Sequence, residues 1–201
     1  MWRSFIQESI IERVLGRDIL GLVKIGKPAL FRQTFELAMR YPSQEISFQK
    51  LLGQLQDKGN VTTIKHYLEL LEQAYLLKIL YKFSNSPVSV AGSSPKLLPF
   101  NNALVNCYLN SLEKIKEPQW IGRLFESAVG AHLDSLPGRL TYWREGKFEV
   151  DFVHELDGEI TAYEVKSGPF DRLKGLDLFL KRYPKAKTVV IDWERGEELL
   201  S

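Results

Sequence analysis

Cysteine is nearly absent. Cys107 is the only one in 201 residues, which excludes an intrachain disulfide and the usual multi-cysteine zinc sets. That scarcity fits a reducing cytoplasm, where the chain is expected to work. No apolar run approaches the ~18 residues needed to cross a bilayer, so no membrane span is expected. The opening MWRSFIQESIIERV mixes acids into its apolar residues and is no signal peptide. Neither sign of charge dominates: Lys+Arg number 27 and Asp+Glu 25, so bulk charge makes no case for a polyanionic partner. A basic face can still arise by segregation. Internal repeats and low-complexity tracts are missing too. What is left, 44% hydrophobic and 26% charged, is the composition of a globular chain, long enough for one large domain or two small ones.

Apolar residues at 2, 5, 6, 10, 14 and 15, with Ile11 and Ile19 adding to them, predict a helix over residues 2–20. Gly21-Leu22-Val23-Lys24-Ile25-Gly26-Lys27-Pro28 then has the G-x4-G-K spacing of a phosphate loop. Pro28 removes the hydroxyl that would hold magnesium, and no strand pattern precedes the loop. It reads as a helix–helix linker with Pro28 in the first turn of a helix over 28–41, and the chain by itself is not expected to be an ATPase. Ser47 is placed to cap a helix over 48–56. Lys58, Gly59 and Asn60 make a turn, and a helix over 61–76 carries the stripe Ile64, Tyr67, Leu68, Leu71 and Tyr75. Two helices about a glycine turn form a helix-turn-helix arrangement. Residues 77–83 and 87–90 are expected as the strands of a wing. Thr62, Thr63, Lys65 and His66 are the candidate DNA contacts. With only one lysine and one histidine, the same unit would also serve protein contacts or packing.

The turn-rich SNSPVSVAGSS places a boundary near Ser93, giving a helical winged module over 1–92 and a second domain over 93–201. There the pattern predicts a strand over 95–100 and helices over 101–109 and 120–136. Strands over 140–143, 148–153 and 160–166 follow, then a helix over 171–183 and a strand over 188–193. That order is an α/β sheet with helices on its faces.

The stretch YWREGKFEVDFVHELDGEITAYEVKSG holds two β-branched apolar runs split by the turn-forming Asp157-Gly158. Charges interrupt both runs: Asp151 in the first, Glu164 and Lys166 in the second. Period-two alternation puts Glu164 and Lys166 on one face, and the hairpin brings Asp151 within reach. Glu126 can approach from the preceding helix. Converging carboxylates would bind Mg²⁺ or Mn²⁺, hard ions that prefer oxygen, with Lys166 positioning a water or stabilising charge on a phosphate. A structural ion pair between Glu164 and Lys166 would also account for them. A second match, Asp134 with Glu145 and Lys147, falls in a helix end and a glycine turn, where charge is easily solvated, and is set aside.

SSPKLLPFNNAL, GRLFESAVGAHL, YWREGKFEVDFV and AYEVKSG, in this order, resemble the C-terminal half of bacterial and archaeal AAA-type ATPases carrying the DUF4143 domain. ISFQKLLGQLQDKGNVTTIKHYLELLEQAYLL is similar to the winged-helix part preceding that domain. The resemblance implies a PD-(D/E)xK nuclease-like mixed sheet flanked by helices. In it Glu126 is the helix acid, Asp151 the first strand acid, and Glu164 and Lys166 the E-x-K pair. Arg144 matches a basic position suited to local pairing or phosphate contact. The family's ATPase domain is missing, so the chain is expected to be a C-terminal fragment or a natural remnant. Asn101-Asn102-Ala103-Leu104 also departs from a common Asp-Thr-Gly-Leu.

The expected activity is Mg²⁺-dependent cleavage of a phosphodiester in DNA. The other reading is a non-catalytic module that docks DNA or a protein beside a separate ATPase acting in trans. Of the smaller signals, Cys107 reads as a buried thiol, His132 as a core histidine, and His154 as a lesser site candidate. Lys174, Lys181, Arg182, Lys185 and Lys187 read as a solvated face around the last helix.

Overall fold

The computed structural model describes residues 2–56, 59–108, 116–169 and 173–200. Lys58 of the expected turn, Leu109 and Asp171 lie outside the described residues. The chain opens helically with α1 (Trp2–Ile6), two π-helical stretches (Gln7–Ile11 and Val14–Ile19) and α2 (Leu20–Leu22). Of the expected stripe, Ile6, Ile11, Leu15 and Ile19 are buried along the wider π turns, while Trp2 and Phe5 are exposed. Helix α3 (Pro28–Met39) starts on Pro28, as expected of a linker rather than a phosphate loop.

Next come β1 (Gln44–Glu45), α4 (Phe48–Leu52) and α5 (Val61–Gln73). Ser47 and Asn60 cap the two helices by accepting from the amides of Lys50 and Thr63. Tyr75 takes a left-handed φ of 55°, so α5 stops short of it. Tyr75 is therefore exposed rather than part of the stripe, and Leu76 is buried instead. Strand β2 (Leu77–Leu80) follows.

The second of the two strands expected at residues 77–83 and 87–90 is not formed. Residues 87–90 lie in a helix, α6 (Pro87–Ala91), because Ser86 caps it and Pro87 occupies its first turn. The partner of β2 is β3 (Lys96–Pro99), which also pairs with β1, giving the antiparallel order β1-β3-β2. The expected boundary near Ser93 thus falls in the β2–β3 connection. Helix α7 (Asn102–Cys107), capped by Asn101, closes the core formed with α3, α5 and the first sheet.

Helix α8 (Pro118–Ser135) leads into β4 (Arg139–Glu145), β5 (Phe148–Leu156) and β6 (Glu159–Val165). The β5–β6 turn is of type I′, with Asp157 at φ 51° and Gly158 at φ 82°. Helix α9 (Lys174–Arg182) then returns the chain to β7 (Lys187–Ile191), which pairs parallel to β6 in the order β4-β5-β6-β7. An unexpected helix, α10 (Trp193–Leu200), follows and stacks Trp193 on Phe125 of α8. One face of this sheet packs on α8 through Phe125, Val129, Leu133 and Phe152. The other packs on α9 through Val150, Val153, Ala162, Leu176 and Phe179. Coverage on both faces explains the five consecutive buried residues of β5.

The two sheets are joined directly. Beyond β2, Tyr81 and Phe83 exchange backbone hydrogen bonds with Tyr142 of β4. Ser127 of α8 donates its hydroxyl to the Pro99 carbonyl at 3.0 Å.

Candidate active site

Asp151 is aimed by a β-bulge. Thr141 pairs with Val153 and Trp143 with Val150, so Asp151 and Phe152 together face Tyr142 alone. A bulge bends the strand and re-aims the side chains at the extra residue. Phe152 packs under α8, and Asp151 turns its carboxylate toward β6. The β5–β6 ladder ends at Phe152–Tyr163 while β6 continues to Val165. Asp151 Oδ2 accepts from the Val165 amide at 2.8 Å, replacing the ladder bond where the strands part.

On the α8 side, Lys96 at the start of β3 is only 5% exposed. Its Nζ lies 2.7 Å from Glu126 Oε1 and 3.9 Å from Asp151 Oδ1, and it donates to the Asp151 carbonyl at 3.4 Å. It also sits 5.3 Å over the Phe152 ring. Burial opposes the charge on Lys96, but Glu126 and Asp151 hold its pKa above the usual lysine value. Burial pushes the Glu126 carboxyl up, Lys96 opposes it, and Asp151 adds to the rise, giving about 8. Sequence reading missed Lys96. Its signal was the one that marked Asp151, a charge inside an apolar strand.

Glu164 and Lys166 form the second pair. Lys166 Nζ donates to Glu164 Oε1 at 2.6 Å. Glu164 is 8% exposed, and its Oε2 is buried without a hydrogen-bond partner among the described residues. Burial and then the neighbouring Asp151 charge raise the Glu164 carboxyl to about 7, against the pull of Lys166. Burial opposes the Lys166 charge, but Glu164, Asp151 and Glu126 together raise its pKa. The four expected residues therefore share one electrostatic neighbourhood. Together with Lys96 they form two ion pairs, Lys96–Glu126 and Lys166–Glu164, with Asp151 between them.

The fit to a divalent ion follows from these oxygens. Among the described residues no three His, Cys, Asp or Glu side chains are grouped as a metal-holding set. Glu126 is engaged by the Lys96 ammonium. Asp151 and Glu164 supply hard carboxylate oxygens, one of them the orphaned Glu164 Oε2, and that donor chemistry suits Mg²⁺ or Mn²⁺.

A polar cleft of about 510 Å³ opens beside Lys96 and Glu126, bounded by β1, α8 and the β4–β5 hairpin. Arg144 lines it and bridges Glu45 of β1 and Glu149 of β5, so it serves local pairing. Arg123, one turn before Glu126, lines the same cleft.

Thr62, Thr63, Lys65 and His66 lie elsewhere, on the first turns of α5. Thr63 bonds Asn60 and Lys65 pairs with Glu69 at 3.8 Å. Thr62, Thr63 and His66 border a separate cleft with Lys24 and Lys27. His154 is buried three residues along β5 from Asp151, its Nε2 without a partner among the described residues. His132 is half-buried in the last turn of α8, and Cys107 is a buried thiol. Asp134 pairs with Lys78 and Glu145 with Arg182, which accounts for two of the three residues in the discarded match. Lys174, Lys181, Arg182, Lys185 and Lys187 are exposed.

Comparison with known proteins gives two adjoining domains. Residues 2–116 match a domain of unknown function, DUF8612, which was not expected, and residues 121–199 match a second, DUF4143, the domain the sequence resembled. Among solved structures, the crystal structure of protein VC1899 from Vibrio cholerae is similar over 88% of this chain and 52% of that one, at 15% identity and a TM-score of 0.24. This chain thus spans about half the length of that structure, and so low a TM-score carries no argument. No curated protein matches.

Proposed function

From the premise that the chain belongs to the DUF8612 family and carries a DUF4143 match after it, we propose a winged-helix module joined to a PD-(D/E)xK-type domain that cleaves phosphodiesters in DNA. The winged reading is supported by the order β1, α4, α5, β2, β3 and by a last strand that pairs with both others. Thr62, Thr63, Lys65 and His66 are then the contacts of the second helix with DNA.

The observation that carries the catalytic reading is the burial of Asp151 and Glu164 where β5 and β6 part, with one Glu164 oxygen unpartnered among the described residues. A buried carboxylate oxygen left unpaired is destabilising, and sites that keep one do so for a ligand or for chemistry. Asp151 and Glu164 would hold Mg²⁺ or Mn²⁺, with Glu126 an outer acid already balanced by Lys96. The bound ion would supply charge neutralisation at a phosphate oxygen and acidify a water. Asp151 is fixed by the Val165 amide and keeps Oδ1 directed into the site. Lys166, held by Glu164, stands ready to orient the attacking water or stabilise charge on the phosphate.

The test is incubation with plasmid and with linear single-stranded DNA in Mg²⁺ or Mn²⁺. Cleavage that disappears in Lys166→Ala supports the assignment. No cleavage by the wild type, or equal cleavage by Lys166→Ala, defeats it. One observation favours the second reading, a non-catalytic DNA- or protein-docking module beside an ATPase acting in trans: Lys96 already occupies the space between Glu126 and Asp151. Calorimetric titration separates the two, since that module would bind no Mg²⁺ at millimolar concentration.

A further inference from the structure

The cleft beside Glu126 has polar groups that the site chemistry does not use. Ser43 is 5% exposed, lines the cleft, and has no partner for its hydroxyl among the described residues. The Nε2 of the neighbouring Gln44 is likewise buried and unpartnered. Ser43 also holds a φ of 54°, a left-handed conformation uncommon for a non-glycine residue and one that clusters at ligand sites. Its amide is fixed by the Leu97 carbonyl at 2.8 Å, so the strained residue is held in place by β3.

In the same cleft, Arg123 has no ion-pair partner among the described residues. The other cations are engaged: Lys96 by Glu126, and Arg144 by Glu45 and Glu149. With three cations and three carboxylates the cleft is formally neutral, so it exerts no bulk pull on a polyanion. Recognition must be local, at one guanidinium and two neutral donors. That combination matches a single monoanionic phosphodiester: the planar Arg fork meets its two non-bridging oxygens, whose remaining lone pairs can accept from a hydroxyl and an amide.

We propose that Ser43 and Gln44 of the N-terminal module and Arg123 of α8 form a phosphate subsite for a nucleic-acid strand, which crosses the junction of the two sheets next to the Glu126–Asp151–Glu164 acids. This deepens the phosphodiesterase reading and rests on it for the direction of the strand. The N-terminal half then supplies one wall of the substrate groove, a role separate from any duplex contact made by α5.

The test is fluorescence polarisation of the full chain with a fluorescein-labelled dT12, in EDTA so that no cleavage occurs, from 50 to 200 mM KCl. Arg123→Gln is expected to weaken binding at least about tenfold and to reduce the slope of log affinity against log salt by about 0.7, the value for one single-strand phosphate contact. Ser43→Ala is expected to lose about fivefold with the slope unchanged. Arg123→Lys, which keeps the charge, should keep the slope. As a half-buried helix-surface change, Arg123→Gln should melt within about 2 °C of the wild type.

Equal binding by wild type and Arg123→Gln, or no binding by the wild type, overturns the proposal. So does Arg123-dependent binding of inorganic phosphate without binding of dT12, which would assign the subsite to a free anion. The two readings fail differently. Arg123-dependent binding without cleavage removes the nuclease and leaves the subsite. Cleavage with an unchanged KM in Arg123→Gln removes the subsite and leaves the nuclease.

Discussion

Replacing Lys96 by methionine removes the ammonium that Glu126 and Asp151 share and leaves their carboxylates buried at 18% and 9% side-chain exposure. Breaking a buried pair from one side typically destabilises by about 3–5 kcal/mol. In a chain of this size each kcal/mol moves the melting temperature by about 2–4 °C, so Lys96→Met should melt about 6–20 °C lower above pH 8, where Glu126 is ionised, and by less below it. The pH dependence identifies the cause. In the folded wild type Glu126 titrates near 8, above the ordinary 4.5, so the folded state holds more protons. Stability therefore falls as pH rises from 4.5 to about 8, then levels off for this group.

Without Lys96 the folded value rises further, so the variant goes on losing stability above pH 8, by about 1.4 kcal/mol per pH unit. Lys96 itself, with a raised pKa, contributes fully throughout this range. The gap between variant and wild type should widen between pH 8 and 9 by about 3–6 °C. Calorimetric melts at pH 6, 8 and 9 measure it. Lys96→Met combined with Glu126→Leu should recover most of the loss, because an apolar pair replaces the ionic one. A gap that stays constant or shrinks above pH 8, or no loss at all, would refute the reasoning.

Two further outcomes are expected besides the cleavage and polarisation experiments. Glu164→Gln removes a carboxyl that burial and Asp151 raise to about 7. It should flatten the fall in stability between pH 4.5 and 7 and raise stability at pH 8 by about 2 kcal/mol, read by denaturant titration. A steeper fall would mean that Glu164 is held ionised by Lys166. Gly158→Ala places a Cβ at φ 82° in the β5–β6 turn and should destabilise by about 1–2 kcal/mol in the same assay. No loss there would show that the turn relaxes.

Much of the second half was legible because its signals are local. The β5–β6 hairpin follows from β-branched runs about Asp157-Gly158, and the charged residues inside those runs marked Asp151, Glu164 and Lys166. Local signals also existed where expectation failed. Ser86 and Pro87 form a helix start, so residues 87–90 became α6 and β2 pairs with β3 instead. In the first helix the four buried residues were among those expected, and the π turns, which change the period on which the reading rests, left Trp2 and Phe5 exposed.

The sequence by itself determined which charges would lie inside strands, since alternation and apolar context are properties of neighbouring residues. Only the tertiary structure decided how those charges are matched. A bulge in β5 turns Asp151 toward the Val165 amide. Lys96 arrives from 30 residues before Glu126 and 55 before Asp151 to stand between them. Ser43 and Arg123 line one cleft only because β1 pairs with β3 beside α8. Ion pairing and cleft formation depend on distance in space, which spacing along the chain does not fix.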